Sequence, residues 1–446
     1  MHDLIVAGAG CAGCVAAERA AARGFRVLLV ERSPAQSLGH PWVNGVERAV
    51  FEETGIPFPS GDETMPSPER SRFLSPSGAH YVEIASQPTV EVRMSHFARR
   101  LLAGALQAGA ELRDETTVAA PLVEKGRVRG VVTEAGKELP ARVVLDASGW
   151  EAAIRRGLPE ESPIPREVDP GCLVTAWREQ RRFAADEAQD VPVTLEIPPD
   201  VSLSRVGWRG GYSVLMLHWD SAERELDILA GFRASQEGET AGEFVERFLR
   251  EKGLGGERVY GGGGLIPVRL SLDVLVDHGV LLAGDAACMV VPTHGSGVAS
   301  ALIAGGLAAL TVSRCLREND TSRQNLWEYA CAYQRGRGSL TAYFDVTQAI
   351  TDRFAPKEME KLVGCLMTPG DVEAGLRVRP LSFRLAELPL RLRALRHPLF
   401  SARFAWMASA AMKLRKIYRG YPARYDAAAL REWQQAVERA RKRLLT

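Results

Sequence analysis

Residues 4–7, Leu-Ile-Val-Ala, form a short unbroken apolar run, the pattern of a strand buried on both faces. Six residues of glycine, alanine and cysteine follow it. Alanine then recurs through a predicted helix over 14–23, which Gly24 stops. A second apolar run, 25–30, ends on Glu31, so a strand–turn–helix–strand unit closes within the first 31 residues. Residues 33–88 are rich in Pro, Gly and Ser and predict loops and short strands. Ser95 is a candidate N-cap for a helix through Gln107, with Phe97, Leu101, Leu102, Ala105 and Leu106 on its apolar stripe. Strands are predicted over 117–122, 128–133 and 143–145.

The texture changes between about 165 and 270. Runs at 173–177, 193–197, 212–219 and 226–232 read as strands with few helices between them, which predicts a mainly antiparallel sheet inserted into the α/β text. That text resumes with a strand at 280–283 and a helix over 297–316, and everything beyond about 325 reads as helical. The expected fold class is α/β: a discontinuous Rossmann-like domain from 1–60, 93–155 and 270–335, an antiparallel β-sheet domain from 61–92 and 156–269, and a helical C-terminus over 336–446.

Composition narrows the class. The 446 residues are 46% hydrophobic and 25% charged, which excludes collagen-like, disordered and coiled-coil chains. Fifty-six basic residues against 55 acidic ones leave a charge of +1, and no nucleic-acid partner is expected. Seven cysteines at irregular spacing are not a disulfide framework. No basic n-region precedes the first strand. The uncharged run between Asp285 and Arg314 holds Pro292, His294 and four glycines, suiting a buried loop and helix better than a membrane span. A reduced, cytoplasmic protein is expected.

The chemistry begins at Gly8-Ala9-Gly10-Cys11-Ala12-Gly13. Leaving a strand and opening a helix, this turn offers backbone N–H groups and a helix dipole to a pyrophosphate. Gly8 permits the tight turn, Gly10 admits phosphate to the backbone, and Gly13 lets the helix pack against the strand. Glu31 ends the next strand, where a carboxylate accepts hydrogen bonds from an adenosine ribose. Cys11 and Cys14 form a CxxC inside this crowded turn with no second pair nearby, which reads as packing. The remaining histidines show no metal spacing.

Some 250 residues later, Val280-Leu281-Leu282-Ala283-Gly284-Asp285-Ala286-Ala287 places a carboxylate after a buried strand, and Pro292, Gly295 and Gly297 lead into an uncharged helix. Here the chain resembles the FAD-dependent oxidoreductases of p-hydroxybenzoate-hydroxylase-like fold, and within them most closely the geranylgeranyl reductase family. The resemblance implies that the Rossmann-like part binds FAD and that the inserted sheet is a substrate domain. It implies that Gly284 and Asp285 hold the ribityl chain, and that Pro292, Gly295, Gly297 and the helix start at Val298 face the flavin ring. Further matches are Asp146-Ala147-Ser148-Gly149, Val92-Arg93, the stretch 44–57 and Gly262-Gly263-Gly264-Leu265-Ile266-Pro267-Val268. Asp146, Arg93, Arg32 beside Glu31, and Val118 join the cofactor contacts it implies.

The chain also departs from that family. Pro41-Trp42-Val43-Asn44 stands where the reductases carry a loop cysteine. Of their Tyr-x-Trp-x-Phe-Pro strand, Tyr212-Ser213-Val214-Leu215-Met216 keeps the tyrosine alone. Halogenases of this fold need a lysine in the first third of the chain, and residues 1–124 contain none. Aromatic hydroxylases of the fold often have histidine where Cys288 stands. The expected activity is flavin-mediated reduction or desaturation of a carbon–carbon bond in an apolar, prenyl-like or carrier-bound substrate. The alternative is a flavin-dependent monooxygenase acting on a secondary-metabolite-type substrate. His294 is the candidate proton donor, Cys288 a candidate neighbour of the ring, and Trp42 and Tyr212 candidate walls of the substrate site. No second nucleotide turn is evident, so NAD(P)H as a transient visitor, or ferredoxin, is the expected electron donor.

Residues 376–424 carry 12 Lys/Arg against one acid, Glu387, a local net of +11 that leaves −10 for the remainder. Interleaved with Leu, Phe, Trp and Tyr, these cations suit peripheral contact with anionic lipid, docking of an acyl carrier or phosphate-bearing substrate, or a solvated helical face.

Overall fold

The computed structural model describes residues 1–85, 87–234, 238–381 and 385–445; of the basic segment 376–424, residues 382–384 lie outside these. The first strand, His2–Ala7, lies between two parallel neighbours, Val27–Val30 and Glu138–Asp146. The order across the sheet is Val276–Asp277, Val280–Leu282, Glu138–Asp146, His2–Ala7, Val27–Val30, Glu111–Arg113. A hairpin, Val118–Glu124 with Arg127–Thr133, joins along the start of Glu138–Asp146. Register sets Ala7 opposite both Val30 and Asp146. Strand order reverses here, and the three carboxyl ends open a crevice, the usual ligand position in such sheets. Both faces are covered, so Ile5, Val6, Val143 and Val144 are fully buried and the strands read as continuous apolar runs.

The helix Cys11–Ala21 leaves the glycine turn and packs against Val298–Arg317. The two backbones run so close that a Cβ on Gly305 would collide with the Ala12 carbonyl. Val298–Arg317 is long and apolar enough to cross a membrane, yet it is mostly buried inside the protein, which accounts for its composition.

A second sheet of seven strands runs in the order Glu257–Pro267, Leu173–Arg182, Glu225–Arg233, Ser213–Asp220, Val201–Val206, Arg70–Leu74, Tyr81–Ile84. Its pairs are antiparallel except Val201–Val206 with Arg70–Leu74. A small antiparallel pair, Val43–Glu47 with Thr89–Arg93, lies in the stretches leading into and out of Arg70–Ile84. The C-terminal part is helical, with Pro398–Arg419 packed on Ser339–Thr351. Trp327 stacks on Tyr421 at 5.3 Å, and Trp433 meets Tyr418 and Tyr421 edge-on.

Three local expectations are corrected. Residues 193–197 are not a strand; a short helix, Asp190–Thr194, stands there, and Val191 and Leu195, four apart, turn inward together. A long amphipathic helix, Ala241–Glu251, interrupts the strands; Thr240 accepts from Glu243 N while the Glu243 carboxylate accepts from Thr240 N. Ser95 does not cap its helix, which runs Met94–Gln107; its hydroxyl instead bonds Tyr260 Oη at 3.0 Å.

Candidate active site

A single cavity of about 1490 Å³ runs from the crevice of the parallel sheet to the inner face of the antiparallel one. Typical small-ligand sites occupy roughly 300–1,000 Å³, so this one has room for a dinucleotide and a second molecule together.

At the crevice end, Gly8 has φ +99, and a Cβ on it would strike the Ala147 carbonyl. A Cβ on Gly13 would strike the Gly8 carbonyl, so both glycines are required by protein contacts. Gly10 differs: its φ is an ordinary −72, and nothing lies within 4 Å of a Cβ built on it. The helix beginning beside it has no side-chain cap, so its first N–H groups face the cavity. Glu31 is buried; one oxygen accepts from Ala9 N at 2.8 Å and the other from Ser33 N at 2.9 Å, which holds the turn and the strand end together. Arg32 and Val118 line the same end.

Deeper in, Asp285 lines the cavity, and no described residue hydrogen-bonds its carboxylate; burial pushes its pKa up to about 6. Gly297 makes room for it, since a Cβ there would lie 3.2 Å from Asp285 Oδ1. The helix that starts at Val298 also lacks a side-chain cap and points its N-terminus at the cavity. His294 accepts from Ser296 N through Nδ1 at 3.3 Å, which leaves the proton on Nε2, an enclosed donor without a protein partner. Burial lowers its pKa to about 4, so the ring is neutral near pH 7. Tyr212 reaches over this loop, and a Cβ on Gly295 would lie 2.9 Å from its hydroxyl oxygen. Burial pushes the Tyr212 phenol well up and keeps it protonated. The Trp42 ring stacks on His40 at 4.0 Å and also lines the cavity.

Five sequence candidates do not reach the cavity wall: Gly13, Arg93, Asp146, Cys288 and Pro292. Asp146 is fully buried and spends its oxygens within its own turn. Oδ1 accepts from Ser148 N and Oγ at 3.1 and 2.6 Å, and Oδ2 from Arg155 N at 2.8 Å. Cys288 is fully buried, and its thiol pKa is pushed up to about 12 by that burial, as is that of Cys11. Cys14 donates to the Ala9 carbonyl at 3.1 Å, so the CxxC is packing.

Sequence reading missed two ionic groups at the cavity. Arg178 Nε donates to Asp227 Oδ1 at 3.0 Å and Nη2 to Oδ2 at 2.5 Å; Nη2 also donates to Glu91 Oε2 at 2.8 Å and Nη1 to the Val43 carbonyl at 2.9 Å. Glu47, on the cavity wall, receives Arg337 through Nη1 at 2.8 Å and Nη2 at 2.5 Å. Among the described residues no group of His, Cys, Asp or Glu could hold a metal ion.

The open space before Gly10, the unpartnered Asp285 carboxylate and two uncapped helix starts fit a dinucleotide with a polyol chain. The family model of FAD dependent oxidoreductases matches residues 3–154. The digeranylgeranylglycerophospholipid reductase of Sulfolobus acidocaldarius is 24% identical over 98% of this chain and 96% of its own. That of Methanoculleus marisnigri is 28% identical over 75% and 82%. Among solved structures, a geranylgeranyl bacteriochlorophyll reductase-like protein from Thermoplasma acidophilum superposes with TM-score 0.70 at 18% identity, over 91% of this chain and 99% of its own. A flavin-dependent brominase superposes with TM-score 0.60 at 15% identity, over 89% and 99%. The chain is an enzyme, an FAD-dependent oxidoreductase of mixed α/β fold with parallel and antiparallel sheets and a helical C-terminus. Within that class the relatives it is similar to over most of its length are the digeranylgeranylglycerophospholipid reductases.

Proposed function

We propose that the enzyme reduces carbon–carbon double bonds in the prenyl chains of a lipid, the substrate class named for its archaeal relatives. The observation that carries this reading is the continuity of the cavity. Beyond the crevice its wall includes Val174, Ala176, Val214, Met216 and Leu229 from the antiparallel sheet and Met359 and Leu362 from the C-terminal part, beside the polar group of Arg178, His218 and Asp227. An isoprenoid chain is complementary to such a wall. FAD, when bound in the crevice, supplies the two-electron hydride chemistry that no side chain provides.

In this reading 1–60, 93–155 and 270–335 form the cofactor domain, 61–92 and 156–269 the substrate domain, and 336–446 a helical region that closes the cavity. Gly8, Gly10 and Gly13 shape the pyrophosphate turn, Glu31 takes the ribose, and Asp285 takes a ribityl hydroxyl. The helix start at Val298 favours negative charge beside it. Tyr212 and His294 each present a proton at the loop 292–297, and reduction of an alkene needs one proton besides the hydride. His294, whose Nε2 proton has no protein partner, and Tyr212, whose hydroxyl reaches over Gly295, are the two groups assigned to that delivery. Trp42 walls the substrate. Cys288 and Asp146 support the two loops from behind.

Anaerobic incubation with reductant and detergent-dispersed geranylgeraniol, followed by mass spectrometry, tests the reading. Products heavier by one H₂ per reduced bond are expected. A strict requirement for oxygen, with incorporation of its atoms, would move the assignment to monooxygenation. Running the assay with NADPH and with reduced ferredoxin identifies the electron donor.

A further inference from the structure

The outward side of residues 388–416 carries chemistry that the flavin site does not use. Leu388, Leu392, Leu399, Trp406 and Met412 are 40 to 88% exposed and crowd into 25 residues. The helix Pro398–Arg419 turns Met407, Ala411, Leu414 and Tyr418 inward, at helical spacing. Its opposite face begins with Leu399, Ala402 and Trp406 and continues to Lys413 and Lys416, all exposed.

Charge on this face is one-sided. Arg391 and Arg403 are neutralised by Asp371 and Glu358 at 2.8 and 2.7 Å. Arg393, Arg396, Lys413, Lys416 and Arg419 are exposed and pair with no acid among the described residues. The segment's one acid, Glu387, is buried and accepts from Thr368 Oγ1 at 2.8 Å and Gly370 N at 2.6 Å. Large apolar groups beside unneutralised cations fit an anionic interface, into which Leu and Trp insert while Lys and Arg meet the head groups. An acidic protein would pair the cations and leave Leu399 and Trp406 needing a pocket of its own.

The inner side connects this face to the cavity. Phe400 meets Phe354 at 5.7 Å, and the Arg391 and Arg403 ion pairs fasten the segment to residues 354–376. Met359, Leu362, Met367 and Leu376 of that stretch line the cavity. We propose that the outward face of 388–416 docks the enzyme on an anionic lipid bilayer, next to the wall through which a membrane-resident chain reaches the flavin. The purpose of the docking rests on the prenyl-lipid reading above; the docking itself does not.

Co-sedimentation of the holoenzyme with vesicles tests it, comparing phosphatidylcholine alone with a phosphatidylglycerol mixture at low and high salt. Binding to the anionic vesicles at low salt is expected, with strong weakening at high salt as the attraction is screened. Each cation contributes ~1 kcal/mol, or roughly fivefold, so Arg393→Gln with Lys413→Gln should lose about 25-fold. Leu399→Glu with Trp406→Glu should abolish binding. Flavin content and unfolding midpoint report folding, and the glutamine pair serves where the glutamate pair fails to fold. Absence of vesicle binding at low salt, or wild-type binding by either folded variant, overturns the proposal. So does a change of oligomeric state in the variants, which would assign the face to a second copy of the chain. Intact vesicle binding without reduction of detergent-dispersed geranylgeraniol would instead sink the substrate reading and leave the docking standing.

Discussion

Two glycines three residues apart should fail in opposite ways. Gly10→Ala adds a methyl where no protein atom lies within 4 Å, at a φ of −72 that alanine adopts freely. The apoprotein should therefore unfold within about 0.5 kcal/mol of wild type, as remote surface substitutions do. The same methyl occupies the space into which the pyrophosphate must come. Losing one hydrogen bond to a charged group costs about 1.5–3 kcal/mol, roughly a 10- to 150-fold weaker FAD dissociation constant. Gly13→Ala instead drives a Cβ into the Gly8 carbonyl and within 3.1 Å of Val6 Cγ1. Overpacking of this kind costs about 1–3 kcal/mol of stability, and it should appear in urea unfolding of the apoprotein before any cofactor is added. Isothermal titration of FAD into each apoprotein, beside urea melts, separates the two. Wild-type FAD affinity in Gly10→Ala would show that no phosphate sits over this turn and would refute the assignment of the crevice.

Asp285→Asn should stabilise the apoprotein at pH 7 while weakening FAD binding. The folded carboxyl binds protons more tightly than the unfolded one, so its ionisation costs stability as pH rises from about 4 to about 6 and the cost persists above that. The gap between the usual 3.8 and about 6 is on the order of 3 kcal/mol. Apoprotein melts from pH 4 to 8 should show that decline in wild type and its absence in the variant. Tyr212→Phe should keep flavin and fold but lower kcat about 10²-fold or more, the usual contribution of a positioned acid; unchanged turnover would remove Tyr212 from proton delivery. Arg178→Met leaves Asp227 and Glu91 unpaired in a buried site, and a loss of about 3–5 kcal/mol is expected in chemical unfolding.

The sequence was most legible where function constrains the backbone itself. A left-handed Gly8, an approach too close for any Cβ at Gly13 and a carboxylate directly after a buried strand leave marks that survive without knowledge of the fold. The residues around 193–197 misled because β-branched Val193 and Thr194 favour strands in isolation, while the inward spacing of Val191 and Leu195 decides for a helix. The helix Ala241–Glu251 was readable in principle, since Thr240 and Glu243 are spaced as a capping box ahead of Phe244 and Val245. Asp146 illustrates a different limit. A motif places a carboxylate in a turn, but only coordinates show that Ser148 and Arg155 already use its oxygens.

No pattern in one dimension announces the Arg178 hub, because its partners come from three separate strands. Glu91 and the Val43 carbonyl belong to the two-stranded sheet, Asp227 to the seven-stranded one. The same small sheet carries Glu47, which grips Arg337 in the π-helical segment Gln334–Gly338 joining Arg323–Tyr333 to Ser339–Thr351, while Arg337 Nε donates to Ser300 Oγ in the helix over the crevice at 3.0 Å. Burying charges in this way adds little stability, since desolvation offsets most of the attraction. Each pair does restrict where its partners can sit. Apolar faces alone would let the two sheets slide against one another. Arg178 and Arg337 tie the antiparallel sheet, the small sheet and the helix at Val298 into one register, which keeps Tyr212 over Gly295 and the apolar wall aligned with the crevice.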